Sequence, residues 1–191
     1  IEDELRLPRG KLADSTGVLA RHVCDGEDQI SLAVAACRAA LDDAGLRAAE
    51  VDTLISASAV PYQPIPATAP LIMRELGLDD GTAAAFDVNS TCLSFLTGLE
   101  VAARQIDAGA ARHVLVVSSE VASRALPWRT DPETAALFGD GAAAAVLSGS
   151  GNRAAKVAAV LMRSYPSAYE ACGIGAGGTR FDYSRQPEAF A

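Results

Sequence analysis

Phe86-Asp87-Val88-Asn89-Ser90-Thr91-Cys92-Leu93-Ser94-Phe95 is the stretch whose reading decides the fold. Ahead of Cys92, the run from Ala83 to Val88 is short and apolar, which predicts a covered strand. Behind it, Leu93 to Ala108 carries apolar or small residues nearly all round and stops at Gly109, which predicts a helix buried on most faces. Cys92 therefore falls on a strand-to-helix turn at the C-terminal edge of a sheet. Helix N–H groups and the helix dipole favour a thiolate there, and the thiolate is the nucleophilic form. An elbow of this kind also turns backbone N–H groups toward the oxyanion that develops in acyl transfer. A free cysteine is as readily a small buried hydrophobe, and position alone leaves both readings open.

Outward from the elbow the elements alternate. Upstream, Ile30, Ala33, Val34, Cys37, Leu41 and Ala44 recur at helical spacing from Asp28 to the stop at Gly45, with Cys37 on the buried stripe. Thr53 to Ser58 predicts a covered strand, Pro61, Pro64 and Pro66 force an extended loop, and Ala67 to Leu76 predicts an amphipathic helix closed by Gly77. Downstream, Val114 to Val117, Ala142 to Leu147 and Val157 to Met162 read as strands, and Gly173 to Gly178 as loop. Residues 1–27 read as polar and irregular. The pattern predicts an α/β fold whose first part is a parallel sheet with right-handed crossovers.

Composition removes several classes of function. The 191 residues carry 16 Lys and Arg against 24 Asp and Glu, a formal net charge of -8, and no basic run, so nucleic acid is not an expected partner. No apolar stretch is long enough for a bilayer and the start, Ile1-Glu2-Asp3-Glu4, is acidic, so a membrane is not expected and a soluble cytoplasmic protein is. Cys24, Cys37, Cys92 and Cys172 lack metal-ligand spacing; neither a metal site nor a disulfide framework is expected.

Two motifs carry a family resemblance. Phe86 to Phe95 resembles the nucleophile segment of the ketoacyl-acyl-carrier-protein synthase III enzymes, and Leu137-Phe-Gly-Asp-Gly-Ala-Ala-Ala-Ala-Val-Leu147 resembles their glycine-rich hairpin segment. Val114 to Glu120 is similar to the family's apolar strand between them, and Thr16-Gly17 with Arg21-His22 to a stretch near its N-terminus. The similarity runs in order over residues 3–165, leaving 166–191 as loop or the start of a connection to a second half. It implies the thiolase architecture, layered αβαβα with a mixed five-stranded sheet in each half, normally dimeric, this chain being the N-terminal, nucleophile-bearing half without its first strand. It implies a ping-pong Claisen condensation in fatty-acid or secondary-metabolite (polyketide) synthesis: an acyl thioester acylates Cys92, and a malonyl thioester on acyl carrier protein supplies the attacking carbanion. No cofactor is implied beyond acyl-CoA or acyl-carrier-protein substrates. An acyl transfer that forms an ester or amide, and a non-catalytic subunit of the same fold, are the alternatives.

The resemblance also assigns a substrate wall. Ile65, set by Pro66-Ala67 and the helix after it, matches the residue that a partner subunit places at the end of the acyl tunnel, and Leu137 and Phe138 are expected on the same wall. The family's catalytic His and Asn belong to its second half; His22 and His113 read as structural or surface groups. The coenzyme A clamp of a tryptophan and two arginines is not reproduced: Leu5, Lys11 and Ser15 stand in the matching stretch, the later arginine position falls near Pro132, and Trp128 beside Arg129 reads as a packing residue. Asp140, between two glycines, reads as a turn residue bonding local backbone. Glu120 and Asp87 read as structural, and Cys24 and Cys172 as unreactive loop thiols.

Overall fold

The architecture comes from a computed structural model that describes residues 1–149, 155–171, 173–174, 178–182 and 184–187. Where the sequence predicts irregular chain, two short helices form, α1 (Glu2–Leu5) and α2 (Lys11–Thr16). Their supports are contacts that no periodicity reports. The Glu2 carboxylate accepts from the N–H groups of Gly10 at 2.7 Å and Leu12 at 2.8 Å, and Lys11 pairs with Glu133 at 3.0 Å.

Asp28 then opens α3 (Gln29–Ala44) through a reciprocal cap: its carboxylate accepts from Ser31 N at 2.7 Å and its own N–H donates to Ser31 Oγ at 3.0 Å. Such a cap is worth about 1 kcal/mol. The helix buries Ile30, Ala33, Val34, Cys37 and Leu41, the stripe expected from their spacing.

The sheet follows from β1 (Thr53–Ser56), α4 (Thr68–Glu75), β2 (Ala84–Asp87), α5 (Ser94–Asp107), β3 (His113–Glu120), α6 (Pro132–Ala135) and β4 (Gly141–Ser148). Its order is β2-β1-β3-β4, with β1 parallel to both β2 and β3, and β4 antiparallel to β3. Alternate side chains face opposite layers. Leu54, Leu115 and Val117 pack with α3 and α4, while Ile55, Val114 and Val116 pack on the α5 side. Both faces of β1 are covered, so all four of its residues are buried and its sequence shows no polar alternation.

Two expectations need correction. The sheet has four strands among the described residues, not five, because Val157 to Met162 makes no ladder and has no regular secondary structure, and Leu161 is 78% exposed. An unbroken apolar run gives a segment strand propensity, but a strand also needs a neighbouring edge. Nor is α5 buried on most faces. Only Ser94, Gly98 and Ala102 are, a stripe of small residues that lets the helix axis approach the sheet, while Leu96 stays 50% exposed. On its outer face Thr97 Oγ1 lies 3.7 Å from Met162 Sδ, in the segment after β4.

Asp140 also departs from the local-turn expectation. It is buried, and its carboxylate accepts from Cys24 N at 2.8 Å, Ser123 N at 2.9 Å and Ser123 Oγ at 2.6 Å, tying the N-terminal segment to the loop after β3. Burial disfavours the charge, but the hydrogen bonds from Ser123 and Cys24 outweigh it and hold the carboxyl below the usual range. Asp140→Ala leaves those donors without their acceptor, and a loss of about 3 kcal/mol is expected. For a chain of this size that lowers a melting temperature by about 6–12 °C. Because the folded pKa is depressed, the Asp140 contribution is complete above about pH 4 and is lost as pH falls through the folded value. The gap between parent and variant melts must therefore narrow in acid; a gap independent of pH would contradict the charged knot.

Candidate active site

Cys92 sits between the end of β2 and the first residue of α5, and it is exposed. The elbow that carries it is held under strain. Thr91 has φ 54°, a left-handed conformation that costs a β-branched residue about 1–3 kcal/mol. Hydrogen bonds on both sides fix it there. Ser94 Oγ accepts from Ser90 N at 2.9 Å and donates to Thr91 O at 2.6 Å, and Thr91 N donates to Asn89 Oδ1 at 3.0 Å. Asn89 Nδ2 in turn donates to Ala59 O at 2.8 Å, which ties the elbow to the loop after β1.

The carboxylates near this edge are structural supports, as expected. Asp87 accepts from Thr68 N and Ala69 N, each at 2.7 Å, and so caps α4. Glu120, at the end of β3, accepts from the N–H of Ala59; burial pushes its carboxyl above the ordinary range although the Ala59 and Val60 N–H groups act the other way. Neither Asn89 nor Ser94 is marked for this role by a local pattern: Ser94 is the first residue of α5 and its hydroxyl bonds the elbow before the helix.

Ile65 is 87% exposed, Leu137 53% and Phe138 42%. An open groove of about 320 Å³ lies beside Ile65, between Tyr62, Gln63, Pro66, Ala67, Pro70 and Arg74, and neither Cys92 nor the two hairpin residues line it. His113 hydrogen-bonds Ser148 Oγ at 2.7 Å and lies at the opposite end of β3 from Glu120, about 23 Å away along extended chain. His22 is exposed and engages Asp140 N through its backbone carbonyl at 2.8 Å. Trp128 is half-buried, with its ring N–H donating to Ser123 O at 2.9 Å, as a packing residue would be. Among the described residues no group of three or more His, Cys, Asp or Glu is placed to hold a metal ion, and no helix is long and apolar enough to cross a membrane.

The family model for 3-oxoacyl-[acyl-carrier-protein] synthase III matches residues 86–166, the span from the elbow through the glycine-rich hairpin. A beta-ketoacyl-[acyl-carrier-protein] synthase III from Rhodospirillum rubrum is 49% identical over 137 residues, 71% of this chain and 42% of that protein. The chain is synthase III-like, of the thiolase superfamily. The crystal structure of FabH, the synthase III of Pseudomonas aeruginosa, superposes with a TM-score of 0.70 at 35% identity, over 78% of this chain and 46% of that one. AbyA1, a tetronic acid condensing enzyme, superposes with a TM-score of 0.69 at 29% identity, over 80% of this chain and 50% of that one. The synthase III-like chain thus spans less than half the length of the curated relative it matches.

Its thiols fall in a clear order. Cys37 is fully buried and its pKa is pushed up to about 12; Cys24 is raised by burial and then by the neighbouring Asp140 charge; among the described thiols Cys92 alone is exposed. Cys172 lies outside the described residues. Limited iodoacetamide treatment of the full-length protein, followed by peptide mass spectrometry, should label Cys92 first and Cys37 last. Faster labelling of Cys24 would contradict this order.

Proposed function

We propose that this chain is the nucleophile-bearing half of a condensing acyltransferase, and that the protein containing it joins an acyl thioester to a malonyl thioester through acyl-Cys92. The observation that carries the reading is the exposed Cys92 on a strained strand-to-helix elbow, inside the span matched by the synthase III model. In the first half-reaction the Cys92 thiolate attacks the thioester carbonyl and the donor thiol leaves. In the second, loss of CO2 from the malonyl thioester generates a carbanion. It attacks acyl-Cys92, forms the carbon-carbon bond and returns the thiolate. The condensing activity named for the synthase III relative and for AbyA1 favours this reading over ester or amide formation. Incubating the full-length protein with an acyl-CoA or acyl carrier protein should add the acyl mass to the Cys92 peptide, and malonyl thioester should then remove it as a β-ketoacyl product. Discharge only to water or to an alcohol would refute condensation.

The proposed partners are acyl carrier protein and a second copy of the protein, and the proposed location is the cytoplasm. No resident cofactor is required. Carrier proteins are themselves acidic, and with a formal net charge of -8 this chain offers only scattered arginines, so the docking patch is placed in the rest of the protein.

Ile65 is proposed as the tunnel-end residue contributed across a dimer, with Leu137 and Phe138 on the same wall. The nearly complete exposure of Ile65 in a single chain supports a role against a partner. Isoleucine is shorter than phenylalanine and leaves room for about one or two methylenes, each worth about 0.8 kcal/mol of burial. Medium or branched acyl groups are then preferred over acetyl. Ile65→Phe should depress turnover of a longer primer several-fold more than turnover of acetyl; equal losses would remove Ile65 from the tunnel.

A further inference from the structure

One residue, Ala59, connects the end of β3 to the nucleophile elbow. Its N–H donates to the Glu120 carboxylate, and its C=O accepts from Asn89 Nδ2 at 2.8 Å. The two groups are separated only by the φ and ψ of Ala59, so holding the first restrains the second. Gln29 Nε2 adds a brace by donating to Val60 O and Ser119 O, each at 2.8 Å. Asn89 then passes the orientation on through its other amide atom, since Oδ1 accepts from Thr91 N at 3.0 Å. Thr91 is the strained residue directly before Cys92, with φ 54°.

We propose that Glu120 is a positioning residue for the nucleophile: through Ala59 and Asn89 it holds Thr91 in its left-handed conformation and so sets where the Cys92 thiol points. Each bond in the chain has a defined direction, N–H to carboxylate, then amide N–H to carbonyl, then backbone N–H to amide oxygen. Such relays polarise in series and hold geometry more firmly than their members separately. A glutamine at position 120 keeps the side-chain length but replaces one acceptor oxygen with a donor group. That group can oppose the Ala59 N–H. An aspartate retains the charge on a chain one methylene too short to reach it. The inference rests on Cys92 being the nucleophile, but alkylation reads the orientation of the thiol without requiring any acyl substrate.

The test is a double-mutant cycle in the full-length protein, with Glu120→Gln, Asn89→Ala and the pair, each followed by Cys92 iodoacetamide labelling rate, acylation kcat and KM, and melting temperature. Misplacing a reacting group by about 1 Å costs on the order of 100-fold, so about a tenfold loss of Cys92 labelling rate and of acylation kcat is expected for each single variant, with KM little changed. Because both residues act through one relay, the double variant should be no slower than the slower single one. If Glu120→Gln does not fold, Glu120→Asp takes its place in the cycle with the same expected loss. Multiplying losses in the double variant, or a lowered melting temperature with Cys92 labelled at the parent rate, would overturn the proposal. A protein that shows the coupling in alkylation but never forms an acyl adduct would instead refute the condensing function while leaving the relay standing.

Discussion

Cys92→Ala in the full-length protein is expected to lower acyl transfer on the order of 10,000-fold or more, the scale seen when a covalent nucleophile is removed from an otherwise intact site. The same substitution should leave the fold unchanged. Cys92 is exposed and its thiol takes no part in the bonds that hold the elbow, which run through Asn89, Ser90, Thr91 and Ser94. Surface replacements of this kind shift stability by no more than about 0.5 kcal/mol. Activity and melting temperature are therefore expected to separate completely, with kcat lost and the thermal transition in place. Residual turnover within tenfold of the parent would remove Cys92 from the chemistry. A collapse of the melt would show instead that the thiol is a packing group.

Gly98→Val is expected to do the opposite, damaging the fold first and the chemistry through it. A Cβ at position 98 would lie 2.8 Å from Val116 Cγ1 and 3.1 Å from Ala57 Cβ. Neither neighbour can yield easily, since Val116 is a β-branched residue in the core of β3 and the Ala57 methyl has no rotamer to change. Even Gly98→Ala sets two effects against each other. Helix propensity gains about 1 kcal/mol, while overpacking costs typically 1–3 kcal/mol, and at 2.8 Å the overpacking wins. Valine adds two further methyl groups against the same wall and gives back part of the propensity gain, so a net loss of about 3 kcal/mol or more is expected, read as a fall of about 6–12 °C in melting temperature. The strain is relieved by lifting the start of α5 from the sheet, and Cys92 is two residues before that start. Its labelling rate should change together with stability; a variant that melts with the parent would mean that α5 does not make the close approach.

What could be read in advance follows from the range of the forces involved. The stripe of α3 and the elbow between β2 and α5 are local patterns, and Asp28, Gly45 and Gly109 mark ends through their own backbone preferences. The parallel centre of the sheet was legible because β1 and β3 are apolar on both faces. The misreadings have long-range causes. Whether Val157 to Met162 forms a strand depends on an edge elsewhere in the chain, and the helices near the N-terminus depend on Glu2 reaching Gly10 and Leu12. Asp140 looked like a turn residue because its glycine neighbours are local, whereas its partner Cys24 is far away in sequence. Glu120 was read correctly as a support, yet nothing in the sequence tells that its support passes to Asn89.

At one margin of the sheet, β4 leaves a run of eight residues, Gly-Ala-Ala-Ala-Ala-Val-Leu-Ser, with one side of its backbone unpaired among the described residues. Proteins usually guard such a margin with lysine, proline or a bulge, and this run contains neither of those residues. In the 191-residue chain taken by itself, that margin is a template on which a second copy can add its own β4. A charged residue placed at Ala143, an exposed position within the run, is therefore where a soluble form of this chain would begin.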